Sequence, residues 1–228
     1  MFVIFDLDGT LAKVGSGATE ETVRLLHEIE KKGARIALSS GKPTYYLCGF
    51  ARQIGLQRAF LIGENGGVIQ EGTALPPALY QKAEIPAETK AALNTLRAKL
   101  EADFPDRFWY QPNETALTPF LWYVEDFPAL RKTLQDFIRP EMKLAVYEHP
   151  DCFDIEYNAL SKAEGLRLLS RLTKTPLSDM IAVGDWTNDY PMFEAAGYSV
   201  GIHLPDKDRA DANFETIEEA LTHILTRL

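Results

Sequence analysis

The sequence predicts an α/β fold, in which a smaller α+β module is inserted into a doubly wound parallel sheet. Short apolar runs of strand length alternate with segments of helical periodicity at both ends of the chain. A turn-rich stretch at 63–67 and two prolines at 76–77 interrupt this alternation. We therefore expect a core domain at 1–72 and 153–228, with the module at 73–152.

The first core elements follow from apolar runs and a glycine stop. Residues 2–7 form the kind of apolar run that lies buried on both faces of a parallel sheet. From Thr19 the apolar residues recur at helical spacing, and Gly33 after two lysines is a typical helix stop. The pattern then predicts a strand at 34–38, a helix at 44–54 and a strand at 59–62.

The middle of the chain has a different rhythm, typical of an α+β module with its own apolar faces. Its predicted elements are a helix at 88–102, strands at 108–110 and 121–123, a helix at 128–138 and a strand at 143–147. We expect most of its clustered aromatic residues to fill the module's core: Phe108, Trp109, Tyr110, Phe120, Trp122 and Tyr123. The parallel pattern then resumes, with strands at 153–157, 180–183 and 199–202 and helices at 161–172, 190–196 and 215–228.

The composition excludes several classes of protein. The 228 residues include 24 Lys and Arg against 33 Asp and Glu, and a net charge of −9 has the wrong sign for binding nucleic acid. We expect no DNA or RNA partner, no membrane-spanning segment and no signal peptide. The two cysteines lack zinc-ligand spacing and fit a reducing compartment, so we expect a cytoplasmic protein.

Two carboxylates follow the first predicted strand directly. Asp6 and Asp8, in the run Asp-Leu-Asp-Gly-Thr, are two residues apart on a strand and therefore point to the same side. Doubly wound sheets bind ligands in the crevice at this end of their strands. Two like charges so close need a cation or a shared proton. The run also fits a solvated turn, because Asp and Gly are common turn residues.

A second acidic run follows the predicted strand at 180–183. Gly184 lets the backbone approach another group closely, and Asp185, Asn188 and Asp189 precede the next predicted helix. Carboxylate oxygens gathered from two strand ends suit Mg²⁺, which binds a few carboxylates together with waters and phosphate oxygens. An Asn or Asp at this point can also serve only as a helix N-cap.

Two further polar runs also follow predicted strands. Ser161 and Glu164 form a capping box that places Lys162 at the first helical position, where a bound anion would offset its unfavourable interaction with the helix dipole. Ser40 and Gly41 offer a hydroxyl and N–H groups that can cradle a phosphate. Each run alone also fits a solvated lysine or a simple turn. Because doubly wound topology brings all four strand ends to one edge, we predict one shared site.

These four runs resemble the motifs of the haloacid dehalogenase superfamily of phosphohydrolases. The resemblance covers the chain outside the module, with the motifs in order at 6–11, 40–41, 162 and 184–189. The long interval between the second and third motifs is similar to the branch that carries an α/β cap there. Within it, the chain looks most like archaeal-type phosphoglycolate phosphatases and small sugar phosphatases, including those for mannosyl-phosphoglycerate and trehalose phosphate. Lys42 stands where many relatives have arginine.

The resemblance implies a Rossmann-like core and an aspartyl-phosphate mechanism. Asp6 would be the nucleophile and Asp8 the general acid and base. The implied Mg²⁺ ligands are Asp6, the carbonyl of Asp8, Asp185 and, directly or through water, Asp189. The implied contacts to phosphoryl oxygens come from Ser40, Lys162 and the amides around Gly9 and Gly41, with Asn188 orienting Lys162 or the phosphoryl group.

The implied substrate is a small phosphorylated metabolite, namely phosphoglycolate or a sugar phosphate. Arg107, Lys143 and His149 of the module are candidates for contacting its carboxylate or hydroxyl groups. Two other functions stay open at this point. One is a sugar phosphomutase, which returns the phosphoryl group to the sugar, and the other is a non-catalytic protein that binds phosphorylated metabolites on the same scaffold.

Overall fold

The computed structural model describes residues 1–228, which divide into two compact units. The core unit comprises Met1–Gln81 and Ser161–Leu228, and the inserted unit comprises Lys82–Leu160. The inserted unit therefore begins and ends later in the sequence than the predicted module at 73–152. No helix in either unit is both long enough and apolar enough to cross a membrane.

An eight-stranded sheet forms the centre of the core unit. Its strands are β1 (Phe2–Phe5), β2 (Arg35–Ser39), β3 (Phe60–Gly63), β4 (Val68–Glu71), β5 (Leu79–Lys82), β10 (Met180–Gly184), β11 (Tyr198–Ile202) and β12 (Ala212–Phe214). Across the sheet the order is β12-β11-β10-β1-β2-β3-β4-β5. The strands from β12 to β3 pair in parallel, as predicted. The sequence pattern missed β4, β5 and β12, and β4 pairs antiparallel with β3.

Helices cover both faces of this sheet. They are α1 (Glu20–Lys31), α2 (Thr44–Gln53), α5 (Lys162–Thr173), α6 (Tyr190–Ala195) and α7 (Ile217–Arg227). Apolar side chains of α1, α2 and α7 pack with Phe5 and Leu38 on one face. Those of α5 and α6 pack with Ile4 and Ala37 on the other. Since neighbouring residues of one strand face opposite helix layers, the doubly wound architecture is confirmed.

A cluster of hydroxyl groups around one carboxylate ties the start of α1 to α7. Thr19 caps α1 by accepting a hydrogen bond from the Thr22 amide at 3.0 Å. The hydroxyls of Thr19 and Thr22 donate to the Glu218 carboxylate at 2.7 and 2.8 Å. Burial opposes ionisation of Glu218, but the two hydrogen bonds outweigh it and hold its pKa below the usual range.

The inserted unit consists of a four-stranded sheet and two helices. Its elements are α3 (Ala87–Asp103), β6 (Phe108–Gln111), β7 (Ala116–Leu121), α4 (Phe127–Phe137), β8 (Leu144–Glu148) and β9 (Phe153–Tyr157). The strand order is β6-β7-β9-β8, and all three pairings are antiparallel. Leu96 of α3 and Leu130 of α4 pack with Phe153 and Ile155 in a separate hydrophobic core.

The strand at 153–157 belongs to the inserted unit and not to the core. We predicted that it resumes the parallel pattern, but β9 pairs antiparallel with both β7 and β8. Phe153 and Ile155 are in the hydrophobic core of the inserted unit, whereas the alternate residues Asp154 and Glu156 are polar. A central strand of a parallel sheet is apolar throughout, so this alternation is typical of an antiparallel strand. The unit boundary accordingly falls after Leu160.

The expectation that most aromatic residues fill the inserted core is wrong. Phe108 and Tyr110 pack against it. Trp109, between them on β6, points to the opposite face and is 46% exposed. Trp122 and Tyr123 lie beyond the end of β7 and are 64% and 47% exposed.

A chain of hydrogen bonds, which we call the inserted-unit chain, links five polar side chains around β6, β7 and β9. Gln111 donates to Asn113 at 2.9 Å, and Asn113 donates to the Thr118 hydroxyl at 2.8 Å. Thr118 donates to the Asp154 carboxylate at 2.7 Å, and the His149 ring nitrogen lies 3.1 Å from the other Asp154 oxygen. Thr118 is 1% exposed, so its two hydrogen bonds satisfy a hydroxyl that water does not reach.

Candidate active site

The predicted polar runs meet at the carboxyl edge of the core sheet. Strands β10, β1 and β2 are direct neighbours and run parallel, so they end side by side. Asp6 follows β1, Ser40 follows β2 and Asp185 follows β10. Lys162 is the first residue of α5 and joins them there, because its ammonium group reaches Asp6.

Lys162 lies buried between two carboxylates. Its Nζ donates to Asp6 Oδ1 at 2.6 Å and to Asp189 Oδ1 at 2.5 Å, and its side chain is 2% exposed. Ser161 positions it by accepting a hydrogen bond from the Glu164 amide at 3.2 Å, which starts the helix. The Glu164 carboxylate pairs instead with Arg167, so only one half of the predicted capping box forms.

Two close backbone approaches hold the acidic side chains in place. Asp189 Oδ2 accepts hydrogen bonds from the amides of Asp185 and Trp186 at 2.9 and 3.1 Å. A Cβ added at Gly184 would collide with the Asp189 carboxyl group. Gly9, at φ +94°, stands equally close to the Asp185 carboxyl group. Both glycines are therefore required by space, and Gly9 also by its backbone conformation.

Charge in this cluster is unbalanced. Burial raises the pKa of the Asp6 carboxyl to about 8, a shift that Lys162 opposes and that Asp189 and Asp185 increase. Burial also raises the pKa of Asp185, although the Thr10 hydroxyl donates to its carboxylate at 2.8 Å. The pKa of Lys162 is raised as well, because its two carboxylate partners outweigh burial. When all three carboxyl groups are ionised, they face one ammonium group and leave an excess of negative charge.

The side chains present fit a divalent cation. Asp6, Asp185 and Asp189 each offer a carboxylate oxygen, and these oxygens lie within 4.8 Å of one another. Oxygen-only ligand sets suit hard cations such as Mg²⁺ and Ca²⁺. A divalent cation would also offset the excess negative charge of the cluster.

The remaining motif residues surround this cluster at different depths. The buried Ser40 hydroxyl accepts a hydrogen bond from the Lys42 amide at 3.2 Å, and Gly41 lies in the turn between them. Asp8 is partly exposed, and its carboxylate lies 3.9 Å from the Lys42 ammonium group. The Gly9 amide donates to the Ala12 carbonyl at 2.8 Å, so the amide that we expected to bind a phosphoryl oxygen already has a partner.

Of the two roles predicted for Asn188, the structure gives the orientation of Lys162 to a different residue. Asn188 lies exposed on the turn Thr187–Asp189, and it is Asp189 that orients Lys162. Thr10, which we predicted only as part of the first motif, is buried and donates a hydrogen bond to Asp185. Its position in the run Asp-Gly-Thr is the signal that could have identified it.

The three basic candidates of the inserted unit are each paired with an acid of the same unit. Arg107 donates to Asp126 at 2.6 Å, and Lys143 donates to Glu88 at 2.8 Å. His149 is the partner of Asp154 in the inserted-unit chain. A substrate carboxylate would therefore compete with an existing partner at every one of these side chains.

Comparison with known proteins identifies the family of the chain. The model of the haloacid dehalogenase-like hydrolase family matches residues 3–110 and 98–204. The chain belongs to this family. The resemblance to this family is thereby confirmed, and the acidic cluster of Asp6, Asp185 and Asp189 fits an active site of this family.

Individual relatives of this haloacid dehalogenase-like hydrolase are similar along most of their length. A phosphoglycolate phosphatase from Methanococcoides burtonii is 25% identical over 210 residues, covering 92% of this chain and 86% of its own. The crystal structure of a haloacid dehalogenase-like hydrolase from Bacteroides thetaiotaomicron has a TM-score of 0.80 at 19% identity and covers 98% of both chains. A sugar phosphatase of subclass IIB has a TM-score of 0.71 at 19% identity and the same coverage. These structures share the fold.

Proposed function

We propose that the protein is a Mg²⁺-dependent phosphohydrolase that cleaves a small phosphomonoester through an aspartyl-phosphate intermediate. The observation that carries this proposal is the position of Lys162, buried between Asp6 and Asp189 beside Asp185. A fixed ammonium group next to a carboxylate at a strand end can neutralise a phosphoryl group while the carboxylate attacks it. The family match and the relatives that are phosphatases support the same reaction.

Asp6 is the proposed nucleophile. An oxygen of its carboxylate attacks phosphorus, and the bond from phosphorus to the ester oxygen breaks, which leaves an acyl phosphate on Asp6. Its hydrogen bond to Lys162 holds one oxygen of the carboxylate in place. Water then attacks phosphorus, inorganic phosphate leaves, and the carboxylate is restored.

Asp8 is the proposed general acid and base. It donates a proton to the leaving ester oxygen in the first half of the reaction and takes one from the attacking water in the second. Its side chain is 24% exposed, so it is accessible to both the leaving group and water. The ammonium group of Lys42, 3.9 Å away, is the cation nearest to it.

Mg²⁺ would be held by Asp6, Asp185 and the carbonyl of Asp8. Both oxygens of Asp189 already accept hydrogen bonds, from Lys162 and from two amides, so we propose that Asp189 reaches the ion through water. When bound, the ion offsets the charge of Asp6 and of the phosphoryl oxygens so that the two anions can approach each other. Ser40, Gly41, Lys162 and Asn188 are the proposed contacts to the phosphoryl oxygens.

The proposed substrate is phosphoglycolate or a sugar phosphate. Support comes from the relatives, among them phosphoglycolate phosphatases from several methanogenic archaea and a sugar phosphatase of the same fold. At 25% identity these names indicate a class of small phosphorylated metabolites rather than a single compound.

A phosphate-release screen tests this proposal. Phosphoglycolate, a set of sugar phosphates and p-nitrophenyl phosphate are each incubated with the protein in Mg²⁺ and, separately, in EDTA. We expect release of inorganic phosphate from p-nitrophenyl phosphate and from at least one metabolite when Mg²⁺ is present, and no release in EDTA. An isomerised sugar phosphate without phosphate release would indicate a phosphomutase, and binding without any conversion would indicate a non-catalytic protein. Either result overturns the proposal.

A further inference from the structure

Ser39, the last residue of β2, stands next to Asp6 on the same face of the sheet. Phe5 and Leu38 are paired in the parallel register of β1 and β2, so the following pair is Asp6 and Ser39. Ile4 and Ala37 belong to the hydrophobic cluster under α5 and α6. Because side chains alternate along a strand, Asp6 and Ser39 share this face with them.

The Ser39 hydroxyl is buried without a hydrogen-bond partner. The residue is 0% exposed, and no group accepts from or donates to its Oγ. A buried hydroxyl without a partner destabilises the folded state, because it has lost its hydrogen bonds to water and forms none within the protein. Alanine would avoid that cost at the same position, so the hydroxyl requires an explanation other than the stability of the fold.

The surroundings of Ser39 narrow the choice of partner. Its register neighbour on β3 is Ile62, which packs tightly against Gly165 of α5. Lys162 lies one turn earlier on that helix and reaches across to Asp6. Ser39 therefore has two register neighbours, Ile62 and Asp6. Ile62 has an apolar side chain, so the side-chain acceptor among these neighbours is the Asp6 carboxylate. Neighbouring strands lie about 4.8 Å apart, so rotation of the two side chains brings the hydroxyl within reach of that carboxylate.

We propose that Ser39 is a positioning residue for Asp6. When the site holds its divalent cation, the Ser39 hydroxyl donates to the Asp6 carboxylate and fixes the orientation in which it binds the cation and attacks phosphorus. Carboxylates that bind metals are held in this way by hydrogen bonds from a second layer of side chains. The inference rests on the proposed function for its catalytic part, whereas its metal-binding part can be measured independently.

The test compares Ser39→Ala with a matched control in the full-length protein. Thr89 of the inserted unit also has a buried hydroxyl without a partner, so Thr89→Val removes the same feature in the other unit. The measurements are the thermal unfolding of the metal-free protein, Mg²⁺ affinity by calorimetry, and kcat and KM with p-nitrophenyl phosphate. Ser39→Thr, which keeps the hydroxyl, tests rescue.

We expect metal-free Ser39→Ala to be at least as stable as the wild type. Its Mg²⁺ affinity and kcat should each fall about tenfold, with KM unchanged, as for other residues that orient a metal ligand. Thr89→Val should leave both quantities at the wild-type value, and Ser39→Thr should restore both.

Three results would overturn the inference. They are a Ser39→Ala protein that fails to fold, one that binds Mg²⁺ as the wild type does, and a folded Ser39→Thr protein that is as impaired as Ser39→Ala. If the wild type releases phosphate from no substrate, the proposed function fails, but the calorimetric comparison still decides the role of Ser39.

Discussion

The core cluster and the inserted-unit chain are both polar networks with buried members, but they differ in charge. In the core unit, Lys162 joins Asp6 and Asp189, and Asp185 lies beside them. The inserted-unit chain passes through the uncharged side chains of Gln111, Asn113 and Thr118 before it reaches one acid. The first network leaves negative charge without compensation, whereas the second satisfies its members. An unbalanced network is typical of a site that awaits a ligand, and a balanced one of a structural support.

The largest expected effect comes from making the same Asp→Asn exchange in each of the two networks. Asp6→Asn should abolish turnover, because an amide is not a nucleophile, yet keep the fold, because it has the same shape and can still accept from Lys162. Asp154→Asn makes the same exchange in the inserted unit and should retain turnover. Phosphate release and circular dichroism provide the two readouts. An Asp6→Asn protein that still turns over would contradict the assignment of the nucleophile.

Lys162→Ala should affect both catalysis and stability. We expect a loss of about 100-fold or more in kcat/KM, as for the removal of a fixed charge-stabilising donor. The change also leaves Asp6 and Asp189 buried without their cation, which typically costs about 3–5 kcal/mol. Arg171→Ala, which removes one positive charge from the exposed side of the same helix, is the control. Equal effects of the two variants in kinetics and urea unfolding would refute a special role for Lys162.

Thr118→Val tests whether the inserted-unit chain is a structural support. Valine has nearly the same shape but cannot accept from the Asn113 amide group or donate to Asp154 Oδ1, so these two atoms lose their partner and stability should fall by about 1–3 kcal/mol. The kcat with p-nitrophenyl phosphate should stay at the wild-type value. Thr95→Val removes an exposed hydroxyl of the same unit and should change neither quantity. A loss of kcat in Thr118→Val without a loss of stability would show that the inserted-unit chain serves catalysis and is not a structural support.

The smallest effect concerns an acid outside both networks. Glu218→Gln should reduce stability near neutral pH by about 1 kcal/mol or less, since its half-buried carboxylate accepts hydrogen bonds from Thr19 and Thr22. The pKa of Glu218 is lowered in the folded state, so its contribution is present above the pKa of the unfolded chain and disappears as the pH falls through the folded value. The stability difference between wild type and variant should therefore shrink in acid. A difference that grows in acid would show that the pKa is raised instead.

The four motifs could be predicted from the sequence because chemistry restricts their residue types. A carboxylate ligand must come from an acidic residue, as at Asp6 and Asp185. The ends of neighbouring parallel strands bring these two residues together at the sheet edge. Apolar runs likewise predicted the parallel strands, since a strand that is buried on both faces consists mainly of apolar residues.

The features that escaped prediction depend on tertiary pairing. The sheet to which β9 belongs is decided by its partners β7 and β8, which lie far away in sequence or across a turn. The inserted-unit chain has no motif, because many combinations of amide and hydroxyl side chains can form such a chain. The preference for Asp189 over Asn188 at Lys162 depends on which side of a short turn faces the helix.

The collision at Gly184 limits how this protein can diverge. Any side chain there displaces Asp189, and with it the anchor of Lys162, so even alanine is excluded without a second change elsewhere. Gly49 of α2 has open space where a Cβ would stand, and the same exchange is tolerated sterically. A single replacement is therefore tolerated sterically at Gly49, whereas one at Gly184 also requires the Asp189 side chain to move or change.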